Sequence, residues 1–111
     1  MTRRVTISFL LLSLLFLFGT TGLDAQGKSL IKGRVRDAKT GEGLPSVNVT
    51  IKGTYYGAAT DPDGNYRIQN VGPGSYTLEF SLIGYTLVQR TAVRVEPGKE
   101  TTIDQDLTET T

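Results

Sequence analysis

A short acidic segment, residues 61–65, has the residue types best suited to chemistry in this sequence. The carboxylates of Asp61 and Asp63 stand at alternate positions ahead of a glycine, as at the start of a calcium-binding loop. The loop is incomplete, because its twelfth position, where a bidentate acidic ligand is needed, is Gly72. The same segment is typical of a β-hairpin turn, in which Gly64 supplies a positive φ. We therefore predict a turn here and no metal site.

The composition excludes most kinds of catalytic centre. The 111 residues include no His and no Cys, which rules out Ser-His and Cys-His nucleophiles, the usual zinc and iron–sulfur sites, and disulfides. Nearly all acidic residues fall in turns or at outward strand positions, where no apolar pocket would raise a carboxyl pKa for acid catalysis. With 12 basic and 11 acidic side chains, the chain lacks the positive excess that nucleic-acid binding needs. We predict a protein that is not an enzyme, uses no cofactor and binds no nucleic acid.

The first segment has the three-part plan of a secretory signal peptide. Arg3 and Arg4 precede an apolar run at residues 7–18, and small residues follow at positions 19–22. The run is shorter than the ~20 residues of a membrane-spanning helix. We predict a signal peptide over residues 1–25, so that the mature chain is exported and does not span a membrane.

The rest of the chain has the pattern of short strands between turns. Gly and Pro recur at intervals of about ten residues, which leaves no room for a helix of ordinary length. Between them, apolar and polar residues alternate with the period of two that buries one face of a strand. Closely spaced turns favour antiparallel neighbours, because a parallel crossover needs a dozen or more residues. The pattern predicts an all-β fold, a seven-stranded antiparallel β-sandwich, with strands at or near residues 31–36, 47–52, 57–61, 65–69, 76–81, 87–95 and 101–107.

The inward positions of these strands define a predicted core. Three aromatic rings, those of Tyr66, Tyr76 and Phe80, are in phase with it, so we expect them to be buried. Each large apolar side chain contributes about 1.5–3 kcal/mol when it is fully buried. The predicted core comprises Val35, Val47, Val49, Ile51, Ile68, Tyr76, Leu78, Phe80, Val93, Val95 and Ile103.

An ordered set of motifs runs through these strands and turns. The segments are Ile-Lys-Gly-Arg-Val-Arg-Asp at residues 31–37, Thr-Gly-Glu-Gly-Leu-Pro at 40–45, Val-Asn-Val-Thr-Ile-Lys-Gly-Thr at 47–54, Thr-Asp-Pro-Asp-Gly-Asn-Tyr-Arg-Ile at 60–68, Pro-Gly-Ser-Tyr-Thr-Leu at 73–78 and Phe-Ser-Leu-Ile-Gly-Tyr at 80–85. This set resembles the carboxypeptidase regulatory-like domain, a transthyretin-like (prealbumin-like) β-sandwich, over residues 30–108. Residues 26–29 are then a short N-terminal segment and residues 109–111 a tail. Ser46 stands where the family commonly has glycine, and we expect it to alter one turn locally.

Behind a signal peptide, such a domain is similar to the N-terminal extension of TonB-dependent outer-membrane receptors, where it precedes a plug and a β-barrel. The resemblance implies a non-catalytic interaction or regulatory role in the periplasm or at the outer membrane. Cell-envelope proteins, including outer-membrane transport components, are the implied partners. No plug or barrel sequence follows Leu107, so we expect a stand-alone domain or the truncated front of a receptor.

Two turns are apolar where turns are usually polar, which makes them candidate contacts. We predict that a partner contacts Tyr55, Tyr56, Leu82, Ile83 and Tyr85. One alternative is that these turns fold back as lids over the core. Another is that the three tyrosines stack on a glycan, which would make the protein a carbohydrate-binding module of the cell envelope.

Overall fold

The structure, a computed structural model, describes residues 29–110. The predicted signal peptide, residues 1–25, lies outside the described residues, as do residues 26–28 and Thr111. None of the described residues belongs to a helix long and apolar enough to cross a membrane. The strands are β1 (Ser29–Asp37), β2 (Asn48–Ile51), β3 (Gly57–Ala59), β4 (Asn65–Val71), β5 (Gly74–Ser81), β6 (Val88–Val95), β7 (Glu100–Thr102) and β8 (Gln105–Leu107).

The strands form two sheets with the core between them. In the first sheet, β1 lies between β4, which is antiparallel to it, and the successive strands β7 and β8. In the second sheet, the order is β3-β2-β5-β6, and every neighbour is antiparallel. The arrangement confirms the predicted all-β sandwich.

Alternating residues of both sheets fill the core. Nine of the eleven predicted core residues are buried, while Tyr76 and Ile103 are partly buried and pack against the others. The ring of Tyr66, on the first sheet, meets Phe80 of the second sheet edge-on, with centroids 6.0 Å apart. Tyr66 is buried, as its phase predicted, and four further buried residues were not predicted, namely Ile31, Leu44, Val71 and Leu107.

The structure differs from the predicted sandwich in two details. The strand predicted at residues 101–107 is interrupted at Ile103 and Asp104, so the described residues form eight strands rather than seven. In addition, β7 and β8 run parallel to β1. Short turns impose antiparallel pairing only on consecutive strands, whereas most of the domain separates β1 from β7.

The interruption between β7 and β8 is a close crossing of two backbones. Ile103 still donates its N–H to the Lys32 carbonyl of β1 at 2.8 Å. Its own carbonyl accepts a hydrogen bond from the Tyr66 hydroxyl at 2.6 Å instead of extending the ladder. A Cβ atom at Gly33 would overlap with that carbonyl, so glycine is the residue that fits beneath it.

Ser46, which was expected to alter one turn locally, adopts a left-handed backbone with a φ of 63°. This conformation costs a residue with a Cβ atom about 1–2 kcal/mol. Hydrogen bonds hold it in place, because Ser46 donates its N–H to the Thr60 carbonyl at 3.1 Å. The buried Thr60 hydroxyl also accepts the N–H of Val47 at 2.9 Å and donates to the Leu44 carbonyl. The effect of Ser46 is therefore a local strain within an intact turn.

Replacing Gly33 with alanine tests the crossing. The new Cβ must push β1 away from Ile103, so we expect Gly33→Ala to lower the free energy of unfolding by on the order of 3 kcal/mol. Gly72→Ala is a matched control, because the nearest atom to its added Cβ, the Tyr76 hydroxyl oxygen, is 3.8 Å away. Urea unfolding measures both variants. Equal midpoints would show that the crossing tolerates a side chain.

Replacing Ser46 with glycine tests the strained turn. Glycine removes the steric cost of the positive φ but also makes the unfolded chain more flexible, so we expect a net stabilisation of up to about 1 kcal/mol. The same exchange at Ser75, within β5, is the control and should destabilise the protein by roughly 0.5–1 kcal/mol. Thermal unfolding compares the two, and a loss of stability in Ser46→Gly would contradict the strain.

Candidate interaction surface

The turn between β2 and β3 displays two tyrosines. Thr54 fixes the turn, because its hydroxyl donates to the Ile51 carbonyl at 2.9 Å and accepts the N–H of Tyr56 at 3.0 Å. Gly53 supplies the positive φ of 82° that the reversal needs. Tyr55 is fully exposed and Tyr56 is 47% exposed. We call these two residues the Tyr55 tip; its backbone is ordered by hydrogen bonds while its rings face solvent.

The loop between β5 and β6 displays only part of its predicted apolar surface. Ile83 is 99% exposed and forms what we call the Ile83 tip. Leu82 and Tyr85 are half-buried and pack against the core, so the alternative of a folded-back lid is correct for these two residues. Tyr85 therefore does not present its whole ring to solvent, as the glycan platform of three tyrosines would need. Leu87, which the alternation had assigned to a strand, precedes β6 and is half-exposed in this loop.

The hydroxyl of Tyr85 anchors this loop to the end of β1. It donates to Asp37 Oδ2 at 2.7 Å, while Asp37 Oδ1 accepts the backbone N–H groups of Lys39 at 2.8 Å and Thr40 at 3.0 Å. The hydrogen bonds from Thr40, Tyr85 and Lys39 lower the pKa of the Asp37 carboxyl group. The bond to Asp37 in turn raises the pKa of Tyr85 to about 12. Tyr85 is thus a structural link rather than an open contact.

The last described residues pair with the same loop. Thr86 donates its N–H to the Thr108 carbonyl at 2.8 Å, and Thr110 donates its N–H to the Gly84 carbonyl at 2.8 Å. These bonds lie on either side of Tyr85 in the chain. The backbone that carries the Ile83 tip is therefore held by both β1 and the segment that follows β8.

The two tips lie at opposite ends of the second sheet. Ile51 pairs with Leu78, whereas Asn48, three residues earlier, pairs with Ser81. The Tyr55 tip follows Ile51 and the other loop follows Ser81, so they leave the sheet in opposite directions, separated by at least about 10 Å of strand. The predicted contact residues therefore do not form one surface. The three tyrosines proposed as a glycan platform also do not form one surface, because Tyr85 lies at the opposite end of the second sheet from Tyr55 and Tyr56.

The acidic segment, residues 61–65, is a turn, as predicted. Asp61 Oδ1 accepts the N–H of Asp63 at 3.0 Å and that of Asn65 at 2.9 Å, while Gly64 donates to the Asp61 carbonyl at 2.9 Å. Gly64 has a φ of 86°. Within residues 29–110, no three acidic side chains lie together in a way that would hold a metal ion. The Asp61 carboxylate is thus committed to closing the hairpin.

These observations define the class of the protein as a small β-sandwich domain with two sheets and exposed apolar turns. The family model of the carboxypeptidase regulatory-like domain matches residues 30–108, and the chain belongs to this family. The resemblance seen in the motifs is therefore confirmed.

The relatives are much larger proteins that contain such a domain. A TonB-dependent receptor of Formosa agariphila is 38% identical over 79 residues, which cover 71% of this chain and 7% of the receptor. Human carboxypeptidase D is 35% identical over 78 residues, which cover 69% of this chain and 6% of that protein. A solved type II cohesin–X-dockerin complex from Acetivibrio cellulolyticus shares the fold, with a TM-score of 0.60 at 22% identity, over 69% of this chain and 52% of that chain. The chain spans less than a tenth of either curated relative.

The Asp37–Tyr85 bond predicts a stability that depends on pH at both extremes. Because the Asp37 pKa is lowered from 3.8, its contribution is complete above that value and is lost as the pH falls through the folded pKa. Because the Tyr85 pKa is raised from 10.0 to about 12, its contribution is complete below pH 10 and is lost as the pH rises toward 12. We expect Tyr85→Phe to lower the thermal midpoint at pH 7, with the difference from wild type fading in acid and above pH 10.

Tyr76→Phe is the matched control for this measurement. The Tyr76 hydroxyl donates to the Gly72 carbonyl at 2.7 Å, so its partner does not titrate in acid. Thermal midpoints across the pH range compare both variants with wild type. If the thermal midpoint of Tyr85→Phe stays below that of wild type by a constant amount down to the acid transition, the role of the Asp37 carboxylate is contradicted.

Proposed function

We propose that this chain is an exported, non-catalytic interaction domain of the cell envelope, acting in the periplasm or at the outer membrane. Its partners are envelope proteins, including components of outer-membrane transport. The similarity to part of a TonB-dependent receptor supports this setting. The regulatory-like family supports an interaction role rather than a catalytic one.

The observation that carries the proposal is the exposure of Tyr55 and Ile83 on ordered turns. Both side chains are fully exposed, although hydrogen bonds fix the backbone beneath each of them. Aromatic and large apolar side chains are the usual anchors of protein interfaces, and an ordered backbone reduces the entropy that binding costs. The separation of the tips by the length of the second sheet allows two contacts at once.

The Tyr55 tip also favours a second candidate function, that of a carbohydrate-binding module. An exposed tyrosine ring offers an apolar face with a hydrogen-bonding hydroxyl at its edge. Only Tyr55 presents its whole side chain, because Tyr56 is about half covered. The glycan site would therefore be a single ring with a neighbour rather than the three-ring platform expected from the sequence.

Site-specific photo-crosslinking of the full chain in envelope extract tests the proposal. A benzoylphenylalanine at Tyr55 or at Ile83 should form covalent adducts with envelope proteins, identified by mass spectrometry. Gln69, an exposed residue of β4, is the control position. We expect adducts at one or both tips and a much lower yield at Gln69.

Two outcomes would contradict the protein-interaction function. One is an equal yield of adducts at Gln69 and at both tips. The other is the absence of protein adducts, combined with retention of the wild-type chain on immobilised envelope polysaccharide. In that case Tyr55→Ser would abolish the retention, and the control Lys52→Ala, in the same turn, would leave it unchanged. The second outcome would support the carbohydrate-binding module.

A further inference from the structure

Among the sheet edges within residues 29–110, β3 alone lacks an interruption. The ladder of β4 has a bulge where Asn70 adopts a φ of 63°, and that of β6 has one where Ala92 adopts a φ of 56°. The edge formed by β7 and β8 is broken at Ile103. Bulges and breaks are a common protection of edges against pairing with a further strand. The β3 edge has an unbroken register with β2 and no charged residue or proline.

The hydrogen-bond phase of β3 turns two of its residues toward the free side. Ile51 donates its N–H to the Tyr56 carbonyl at 3.0 Å, and in an antiparallel ladder the bonded pairs recur at every second residue. Tyr56 and Ala58 are therefore bonded to β2. Gly57 and Ala59 direct their N–H and C=O groups away from β2, about 7 Å apart along the strand. A further strand would find two donors and two acceptors there.

A groove of about 680 Å³ lies beside this edge. Ala58 and Ala59 line it from β3, and Asn65 and Arg67 line it from β4. Gly57 and Ala59 are exposed, and their side chains are too small to shield the backbone. The groove thus gives an extended chain access to Ala59, and Gly57, outside the groove lining, is exposed to solvent.

The groove is lined by three basic and two acidic side chains, so its charge is net positive. Of the acidic residues that line it, Asp61 and Asp104 each use a carboxylate oxygen to accept backbone N–H groups. Of the three basic ones, Lys32 is paired with Glu100 at 3.0 Å, and Arg34 donates its Nε–H to the Asp63 carbonyl at 3.0 Å. Arg67 forms no ion pair with any residue that the structure describes. A carboxylate is the group that complements it.

We infer that the β3 edge accepts an extended strand from a partner protein, with an acidic side chain of that strand against Arg67. The inference rests on the proposed function as an interaction domain and specifies how one contact is made. Gly57 and Ala59 supply the main-chain hydrogen bonds, while Arg67 selects among sequences. This is the strand-addition mode of peptide recognition, in which the backbone gives affinity and alternate side chains give specificity.

Binding of defined peptides to the full chain tests the inference. The probe is a dye-labelled eight-residue peptide that alternates glutamate and valine, and the comparison peptide has lysine in place of glutamate. Ala59→Pro removes one outward N–H without removing a bond to β2, and Ala59→Ser is its matched control. By fluorescence anisotropy we expect wild type and Ala59→Ser to prefer the glutamate peptide. Ala59→Pro should weaken binding about tenfold or more, since one main-chain bond is lost and the ring obstructs its neighbours.

Arg67→Ala tests whether Arg67 selects acidic peptides. This variant should lose most of the preference for the glutamate peptide over the lysine peptide. If Ala59→Pro fails to fold, hydrogen exchange in the wild-type chain tests the same contact. The amides of Gly57 and Ala59 should then exchange more slowly when the glutamate peptide is bound. Slower exchange only in β4 or β6 would overturn the inference. So would equal affinity for both peptides, equal affinity of Ala59→Pro and Ala59→Ser, or no binding to wild type.

The failure of this inference is distinguishable from the failure of the proposed function. If the crosslinks at Tyr55 and Ile83 form in wild type and persist in Ala59→Pro, and the peptide does not bind, then the interaction domain stands and strand addition at β3 is wrong. If the peptide binds as expected and no crosslinks form at the tips, then strand addition stands and the tips are not the contact.

Discussion

The crossing of Ile103 over Gly33 is the constraint on which the first sheet depends. β1 pairs with β4 on one side and with β7 and β8 on the other, so the sheet is complete only when the chain returns beside β1. At the return the Ile103 carbonyl leaves the ladder and would lack a partner if the Tyr66 hydroxyl did not reach it. Burial raises the pKa of Tyr66, which keeps the hydroxyl protonated as a donor. The Tyr66 ring then packs edge-on against Phe80, which links the crossing to the second sheet.

Side chains complete the crossing on its outer side and close one corner of the sandwich. Asp104 Oδ1 accepts the N–H of Arg34 at 2.8 Å, in place of the backbone acceptor that a continuous strand would provide. From β6, Arg90 donates to the Asp104 carbonyl at 3.3 Å and to Gln105 Oε1 at 3.1 Å. These contacts join the edges of the two sheets where β6 meets β8. The corner between β3 and β4 has the groove instead, and access to the backbone remains on that side.

The alternation of residues predicted the strands and most of the core, because a period of two depends only on which face of each strand is buried. It could not predict the partner of each strand. The parallel pairing of β7 and β8 depends on a crossing whose parts, Gly33 and Ile103, are 70 positions apart in the chain. The sequence pattern likewise could not predict which apolar turn residues are exposed. Tyr85 lies in an apolar turn, as Tyr55 does. Unlike Tyr55, it is half-buried and is hydrogen-bonded to Asp37, 48 positions away in the chain.

The hydrogen bonds that order the Ile83 tip also connect it to other parts of the domain. The tip is continuous with Tyr85, which is bonded to Asp37 at the end of β1, and with Thr86, which is bonded to Thr108 after β8. β1 and β8 are themselves paired, so the loop, the central strand and the last described residues form one hydrogen-bonded unit. The Tyr55 tip belongs to the hairpin of β2 and β3. The bonds of Thr54 stay within that hairpin, and Lys52, in the same turn, donates its N–H to the Thr77 carbonyl of β5 at 2.9 Å. The Ile83 tip is therefore connected by hydrogen bonds to the segment that follows β8, whereas the Tyr55 tip is connected to the strand whose edge is open.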